Sequence, residues 1–315
     1  MEPIIPPVSK EKLLKELTPG KFLRNTRKGN KEIYVFTSND SPNLMIEVAR
    51  LREVSFRDAG GGTGKSNDLD HYDVSQNPYK QLIVWDRDAK EIVGGYRYAV
   101  CSKHLSTSSA LPDLSMADYF QFSDIFQKAY LTKSIELGRA WIQPLYQATN
   151  VCSRYIYALD NLWDGLGGLI NLSNDVDYFY GKITLFPNYN LQARRILFWF
   201  LNHYFRDQEN LMQPIRKVAN MEGVNYRELG FSGNDYRSDL KVLSRVLKIF
   251  GEMIPPLVSA YLNLTSKIKI FGTVHCPDFG NTLETGIMLR IKDIEADKLK
   301  RYTEDLRGEE MRVRV

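Results

Sequence analysis

Runs with the two-residue period of strands alternate with runs of helical period along most of this chain, and few architectures accept that order. Glu32 to Thr37 reads as a strand. Pro42 to about Arg57 reads as a helix, with Leu44, Ile46, Val48, Leu51, Val54 and Phe56 as its apolar set. Lys80 to Trp85 and Glu91 to Val100 form a hairpin joined by Asp86 to Lys90. Ser134 to Ile142 is the next strand. Leu159, Leu162, Trp163, Leu166 and Ile170 then fall at i, i+3, i+4, i+7 and i+11, the stripe of a helix packed on a sheet. A strand at Tyr178 to Phe186 and an amphipathic helix at Leu191 to Asp207 follow. The fold class expected is α/β, of the mixed α+β kind: a central mixed, twisted sheet flanked by helices on both faces.

Three regions are expected: a basic N-terminal arm at 1–31, a core at 32–207 and a helical and β extension at 208–315. The polar stretch Gln208 to Asp235 is the seam. After it come a helix around Arg237 to Gly251, a helix begun by Ile254-Pro255-Pro256-Leu257, and β-rich runs at Lys267 to Val274 and Glu284 to Ile291. Those last runs would equally extend the same sheet.

A hydrophobic content of 43% in 315 residues is enough for a sizeable core and excludes a disordered chain. The longest apolar run, Ile196 to Leu201, is far short of the ~20 residues that span a bilayer, and Met1 to Val8 has no basic region before an apolar stretch. A cytoplasmic location is expected. Cys101, Cys152 and Cys276, odd in number and widely spaced, make no disulfide framework. Residues 10 to 31 hold Lys10, Lys12, Lys15, Lys21, Arg24, Arg27, Lys28 and Lys31 against Glu11 and Glu16, a surface for something acidic or simply a solvated face. Nucleic acid is not expected, because no aromatic residues interleave along a basic strand face.

Two motifs invite chemistry that their surroundings refuse. Ala59-Gly60-Gly61-Gly62-Thr63-Gly64-Lys65-Ser66 nearly spells a phosphate-binding loop, but it follows a helix and opens no apolar-periodic helix. It reads as a loop able to order over a substrate. Asp68, Asp70 and Asp73 crowd three carboxylates together without the glycine and distal glutamate of a calcium loop. His71, His104, His203 and His275 show no i, i+4 pairing, so no metal is expected.

The informative block is the strand Ile135-Glu136-Leu137-Gly138-Arg139-Ala140-Trp141-Ile142. Glu136 and Arg139 lie in a strand that should be central, where charge is costly. They are either compensated structure or a functional site.

Four ordered elements carry a resemblance: Leu51-Arg52 with Phe56, the Asp68-x-Asp70-x-x-Asp73 loop, Gln81-Leu82-Ile83-Val84-Trp85-Asp86 with Gly94-Gly95-Tyr96-Arg97, and Glu136-Leu137-Gly138-Arg139. The sequence resembles the GNAT-type N-acyltransferases of ornithine and glycine lipid synthesis, often labelled hemolysin-like, and its first half is similar to acyl-homoserine-lactone synthases. Trp141-Ile142-Gln143-Pro144, Leu159 to Gly167, Phe186-Pro187-x-Tyr189-Asn190, Ile254-Pro255-Pro256-Leu257, Phe271-Gly272-Thr273 and Glu284-Thr285-Gly286 extend the likeness to the amino-acid-lipid branch. The pyrophosphate-binding loop of coenzyme A-dependent members is missing after Ile142, where Gln143-Pro144-Leu145-Tyr146-Gln147 stands.

The resemblance implies a GNAT-like fold and transfer of a long-chain fatty acyl group, in one version 3-hydroxylated, from the thioester of acyl carrier protein to the α-amine of a small amino acid. Glycine is preferred over ornithine. No further cofactor is implied. It implies Glu136 as base, a backbone amide near Gly138 to Ala140 as oxyanion donor, Arg97 and Arg139 as carboxylate holders, and Arg52, Asp68, Asp70 and Asp73 as the groups that order the loop. Phe56, Trp85 and Trp141 would bind substrate beside them. Acyl carrier protein, the amino acid and the inner membrane surface are the partners expected. Acyl-homoserine-lactone synthesis and a non-enzymatic, membrane-active role are the alternatives.

Overall fold

A computed structural model of the chain describes residues 1–105, 112–147, 157–173, 175–216, 218 and 225–303. Its elements run α1 (Lys10–Glu16), β1 (Phe22–Asn25), β2 (Glu32–Phe36), α2 (Pro42–Asp58), α3 (His71–Val74), β3 (Lys80–Asp86), β4 (Glu91–Val100), β5 (Phe120–Phe122) and β6 (Ser134–Ile142). Then come α4 (Ala158–Leu172), β7 (Tyr178–Leu185), α5 (Leu191–Phe205), β8 (Met212–Pro214), α6 (Tyr236–Ile249), α7 (Pro256–Leu264), β9 (Lys269–Cys276), β10 (Thr282–Arg290) and α8 (Ala296–Thr303). Eight strands form one sheet in the order β1-β2-β3-β4-β6-β7-β10-β9, and β5 pairs with β8 in a small second sheet. The large sheet is mixed, since β6 and β7 run parallel and its other pairings are antiparallel.

Alternation along the strands sets the two faces. Leu82, Val84, Ile135 and Leu137 point to one, where α4 and α5 cover them with Leu162, Trp163, Leu166, Ile196 and Phe200. Ile83 and Trp85 point to the other, under Leu44, Val48, Leu51 and Phe56 of α2. The helix stripe read from sequence is this packing. The strands at 80–100, 134–142 and 178–185 fall where the periodicity placed them. The final β-rich runs join the same sheet, with β10 paired to β7 from Leu283↔Leu185 to Arg290↔Tyr178.

The basic segment is not a free arm, which corrects the reading of 1–31. β1 pairs with β2, and Glu16 of α1 accepts the Asn43 and Leu44 amides at 3.1 and 2.8 Å, capping the first turn of α2. Arg24 is 1% exposed, with a guanidinium nitrogen 2.7 Å from the Tyr302 carbonyl, and Lys31 is buried against Asp86 at 2.5 Å. Arg24 and Lys31 are therefore spent inside the fold, while Lys10, Lys12, Lys15, Arg27 and Lys28 stay exposed. Cys101 and Cys276 are buried free thiols, and Cys152 lies outside the described residues.

Candidate active site

Two departures from regular pairing open the middle of the sheet. β6 pairs with β7 only from Ser134↔Tyr178 to Leu137↔Gly181. That last step is tight: a Cβ on Gly181 would stand 2.2 Å from the Leu137 carbonyl oxygen. Beyond it, between Gly95↔Trp141 and Arg97↔Gly138, β6 carries one more residue than β4. Arg139 has φ +47°, the left-handed conformation that absorbs such a bulge. From Gly138 to Ala140 the β7-facing edge of β6 thus has no strand partner.

On the α2 face beside this split, six charged side chains close a ring of alternating sign. Arg52 forks onto Asp73 at 2.6 and 3.1 Å; Asp73 also meets Arg97 at 3.4 Å. Arg97 donates to Asp70 at 2.6 Å, and Asp70 lies 3.4 Å from Arg139. Arg139 forks onto Asp68 at 2.8 and 3.1 Å, and Asp68 returns to Arg52 at 3.0 Å. Asp70 and Asp73 are held in register by the first turn of α3, where the Asp70 amide donates to Asp73 at 3.2 Å. Burial pushes the Asp73 carboxyl up, but Arg52 and Arg97 outweigh it and hold it well below the ordinary 3.8. With three guanidiniums against three carboxylates, the ring is neutral and its charges pair with one another, although Nε of Arg97 has no hydrogen-bond partner among the described residues.

Glu136 lies outside the ring, 0% exposed. Tyr79 donates to one carboxylate oxygen at 3.0 Å together with Ser115, and Tyr180 donates to the other at 2.9 Å, with the Met116 amide at 3.4 Å. Burial raises its carboxyl above the ordinary 4.5, against the pull of these donors. Direct contact with a substrate is closed off.

Phe56, Trp85 and Trp141 belong to the core between α2 and the sheet. Phe56 packs edge-on against Phe279 at 5.0 Å, and Phe279 lies under the Arg139 guanidinium at 4.6 Å. The glycine-rich loop has an anion of its own: Glu53 accepts the Thr63 and Gly64 amides at 2.9 and 2.8 Å. Amides that would cradle a phosphate are taken, and the loop is a wall of the fold. Among the described residues no group of three or more His, Cys, Asp or Glu is placed to hold a metal ion, and no helix is long and apolar enough to cross a membrane.

A family model described as an acetyltransferase (GNAT) domain matches residues 51–156. A glycine N(alpha)-acyltransferase of Phocaeicola vulgatus is 44% identical over 304 residues, 96% of this chain and 93% of that protein. Another, of Bacteroides thetaiotaomicron, is 43% identical over 302 residues, 96% of this chain and 90% of that protein. The chain belongs to this family of N-acyltransferases. Among solved structures, a CoA-dependent acyl-homoserine lactone synthase, BjaI, with SAM and isopentyl-CoA, aligns with a TM-score of 0.39 at 12% identity, covering 90% of this chain and 92% of that one. The AHL synthase LasI gives 0.37 at 8%, covering 82% of this chain and 90% of that one.

An N-acyltransferase needs room for an acyl donor and an amine. In this acyltransferase the blocks Phe186-Pro187-x-Tyr189 and Ile254-Pro255-Pro256 meet at a 380 Å³ cleft past the end of β7, lined also by Thr184, Leu185 and Met253. Thr184 links the cleft to the sheet, donating to Glu284 of β10 at 3.0 Å. One charged residue of the split escaped the sequence reading. Lys182 follows Gly181 on β7, and nothing in its own segment marks it.

Proposed function

We propose that this acyltransferase moves a long-chain fatty acyl group from the thioester of acyl carrier protein to the α-amine of glycine, the opening step of a glycine lipid. The observation that carries the reading is 43–44% identity, over 96% of the chain, to glycine N(alpha)-acyltransferases. In the reaction the neutral amine attacks the thioester carbonyl, a C–N bond forms, the C–S bond breaks, and the sulfur leaves as a thiolate while the amine's proton passes to a base. The unpartnered β6 edge at Gly138 to Ala140 supports an oxyanion site there, since an amide without a strand partner is a ready donor. Glu136 takes the proton by way of the hydroxyls of Tyr79, Ser115 or Tyr180. Arg52, Asp68, Asp70, Asp73, Arg97 and Arg139 hold the wall rigid, with Phe56, Trp85 and Trp141 behind it. The apolar cleft at Phe186 and Ile254 suits the acyl chain. Gln143-Pro144-Leu145-Tyr146-Gln147, in place of a pyrophosphate-binding loop, favours carrier protein over coenzyme A.

The test offers purified enzyme a long-chain acyl carrier protein or the matching acyl-coenzyme A, with equimolar glycine, ornithine, serine and lysine, and reads products by mass spectrometry. N-acylglycine from the carrier protein is expected. Predominant N-acylornithine overturns the acceptor, equal use of acyl-coenzyme A overturns the donor, and no acylated amino acid overturns the whole reading. The same assay with 3-hydroxyacyl and plain acyl donors fixes the acyl class, and flotation with anionic vesicles tests membrane attachment.

A further inference from the structure

Lys182 stands where the two central strands part. Leu137 and Gly181 are the last paired residues, so Gly138 and Lys182 flank the mouth of the split. The two-residue period sends the Lys182 side chain to the face of Tyr180, the face that carries Glu136 and the charged ring. Its cross-strand neighbour on β10 is Gly286, over which Phe120 and Phe271 close in, so the wall beside the ammonium there is aromatic and brings no charge. The ammonium rests 3.6 Å from the centre of the Tyr119 ring, and among the described residues no carboxylate comes within ion-pair distance. The groups that face it are Glu284, Arg139, Cys276 and Arg97. Glu284 is committed to the hydroxyls of Thr184 and Thr282 at 3.0 and 2.9 Å. Burial lowers the Lys182 ammonium below its ordinary 10.5, with Glu284 opposing.

An amino acid brings a carboxylate two bonds from its attacking nitrogen, so a cation must stand close to the reacting thioester. The ring arginines are poor candidates, because each is engaged by aspartates and would have to share them. Resting on the proposal that glycine is the acceptor, we propose that Lys182 is the cation that binds the acceptor's carboxylate and so selects an α-amino acid over a plain amine. An ammonium has three N–H donors and no acceptor, and a π face cannot satisfy them as a carboxylate does. The position fits the chemistry, since the carboxylate would be held across the split from the free edge of β6.

The experiment compares wild type, Lys182→Met and Lys182→Arg on glycine and on glycinamide, which keeps the amine and lacks the carboxylate. For Lys182→Met, KM for glycine should rise about 10- to 100-fold, the scale of one charge-assisted hydrogen bond, with kcat within about threefold. The preference for glycine over glycinamide should collapse, and Lys182→Arg should restore part of it. The melting temperature of Lys182→Met should not fall, because a half-buried cation without a carboxylate partner is removed. Unchanged KM and unchanged discrimination in an active variant overturn the assignment, as does a fall in kcat alone. Should Lys182→Met fail to fold, Lys182→Arg decides by whether it keeps the preference for glycine. A wild type that acylates no glycine refutes the parent proposal instead.

Discussion

Glu136 ties the stability of the fold to the proton its side chain carries. Its carboxyl is raised by burial, so folding takes up a proton there. The stability it contributes is complete below about pH 4.5 and is lost as pH rises through the raised value. Glu136→Gln keeps the shape and drops the charge: turnover should fall about 100-fold, while the melting temperature at pH 7 stays level or rises. Activity profiles and thermal unfolding read both. A variant that melts much lower, with activity in proportion, would make Glu136 structural. Asp73 has the opposite sign. Held below 3.8 by Arg52 and Arg97, it supports the fold above that value and gives way on acidification. Arg52→Lys cannot fork onto Asp73 while reaching Asp68, so it should cost about 3 kcal/mol or more, read by denaturant unfolding. The charges at 136 and 139 were conspicuous in the sequence because strands seldom carry them. Lys182 was not, since the residues that give it meaning, Tyr119 and Glu284, arrive from distant segments.

Among the elements, the parallel pair β6 and β7 depends on a glycine. A Cβ on Gly181 meets the Leu137 carbonyl at 2.2 Å, and backbone cannot step aside as a side chain can. Gly181→Ala should therefore cost about 3 kcal/mol, and the strands should settle further apart at the mouth of the split. Thermal unfolding measures the first effect. The second appears as activity lost at temperatures where the variant is still folded, and full activity there would show that the spacing is immaterial. The hairpin at 80–100 and the helix at 42–58 were legible because many residues repeat one period. β1, β5 and β8 are three or four residues long, too short for a period to emerge, and β1 is hidden in a run of lysines and arginines. The split was not legible either. It depends on which residues of β6 go unpaired, and that is decided by strands far away in sequence.

For the molecule as a whole, the last hundred residues are not an appendage to the sheet. β10 covers the outer edge of β7 along its length and places Glu284 and Gly286 beside Lys182. A chain cut after Asp207 exposes that edge, with Tyr180, Ile183 and Leu185 on it, and should aggregate instead of unfolding cooperatively. Gel filtration and calorimetry would show this, and a monomeric, cooperatively melting fragment would mark 1–207 as an independent domain. The closed ring has a consequence of its own. Dissolved ions weaken attraction between exposed charges over a Debye length of about 8 Å at physiological ionic strength, but they do not enter a buried network. Arg52 and Asp73 are at 0% exposure and Arg97 at 3%, and only Asp70 and Arg139 at the rim of the ring are partly exposed. Added potassium chloride should leave the rate at saturating donor untouched and act only on encounter with a charged donor, so one titration separates docking from chemistry.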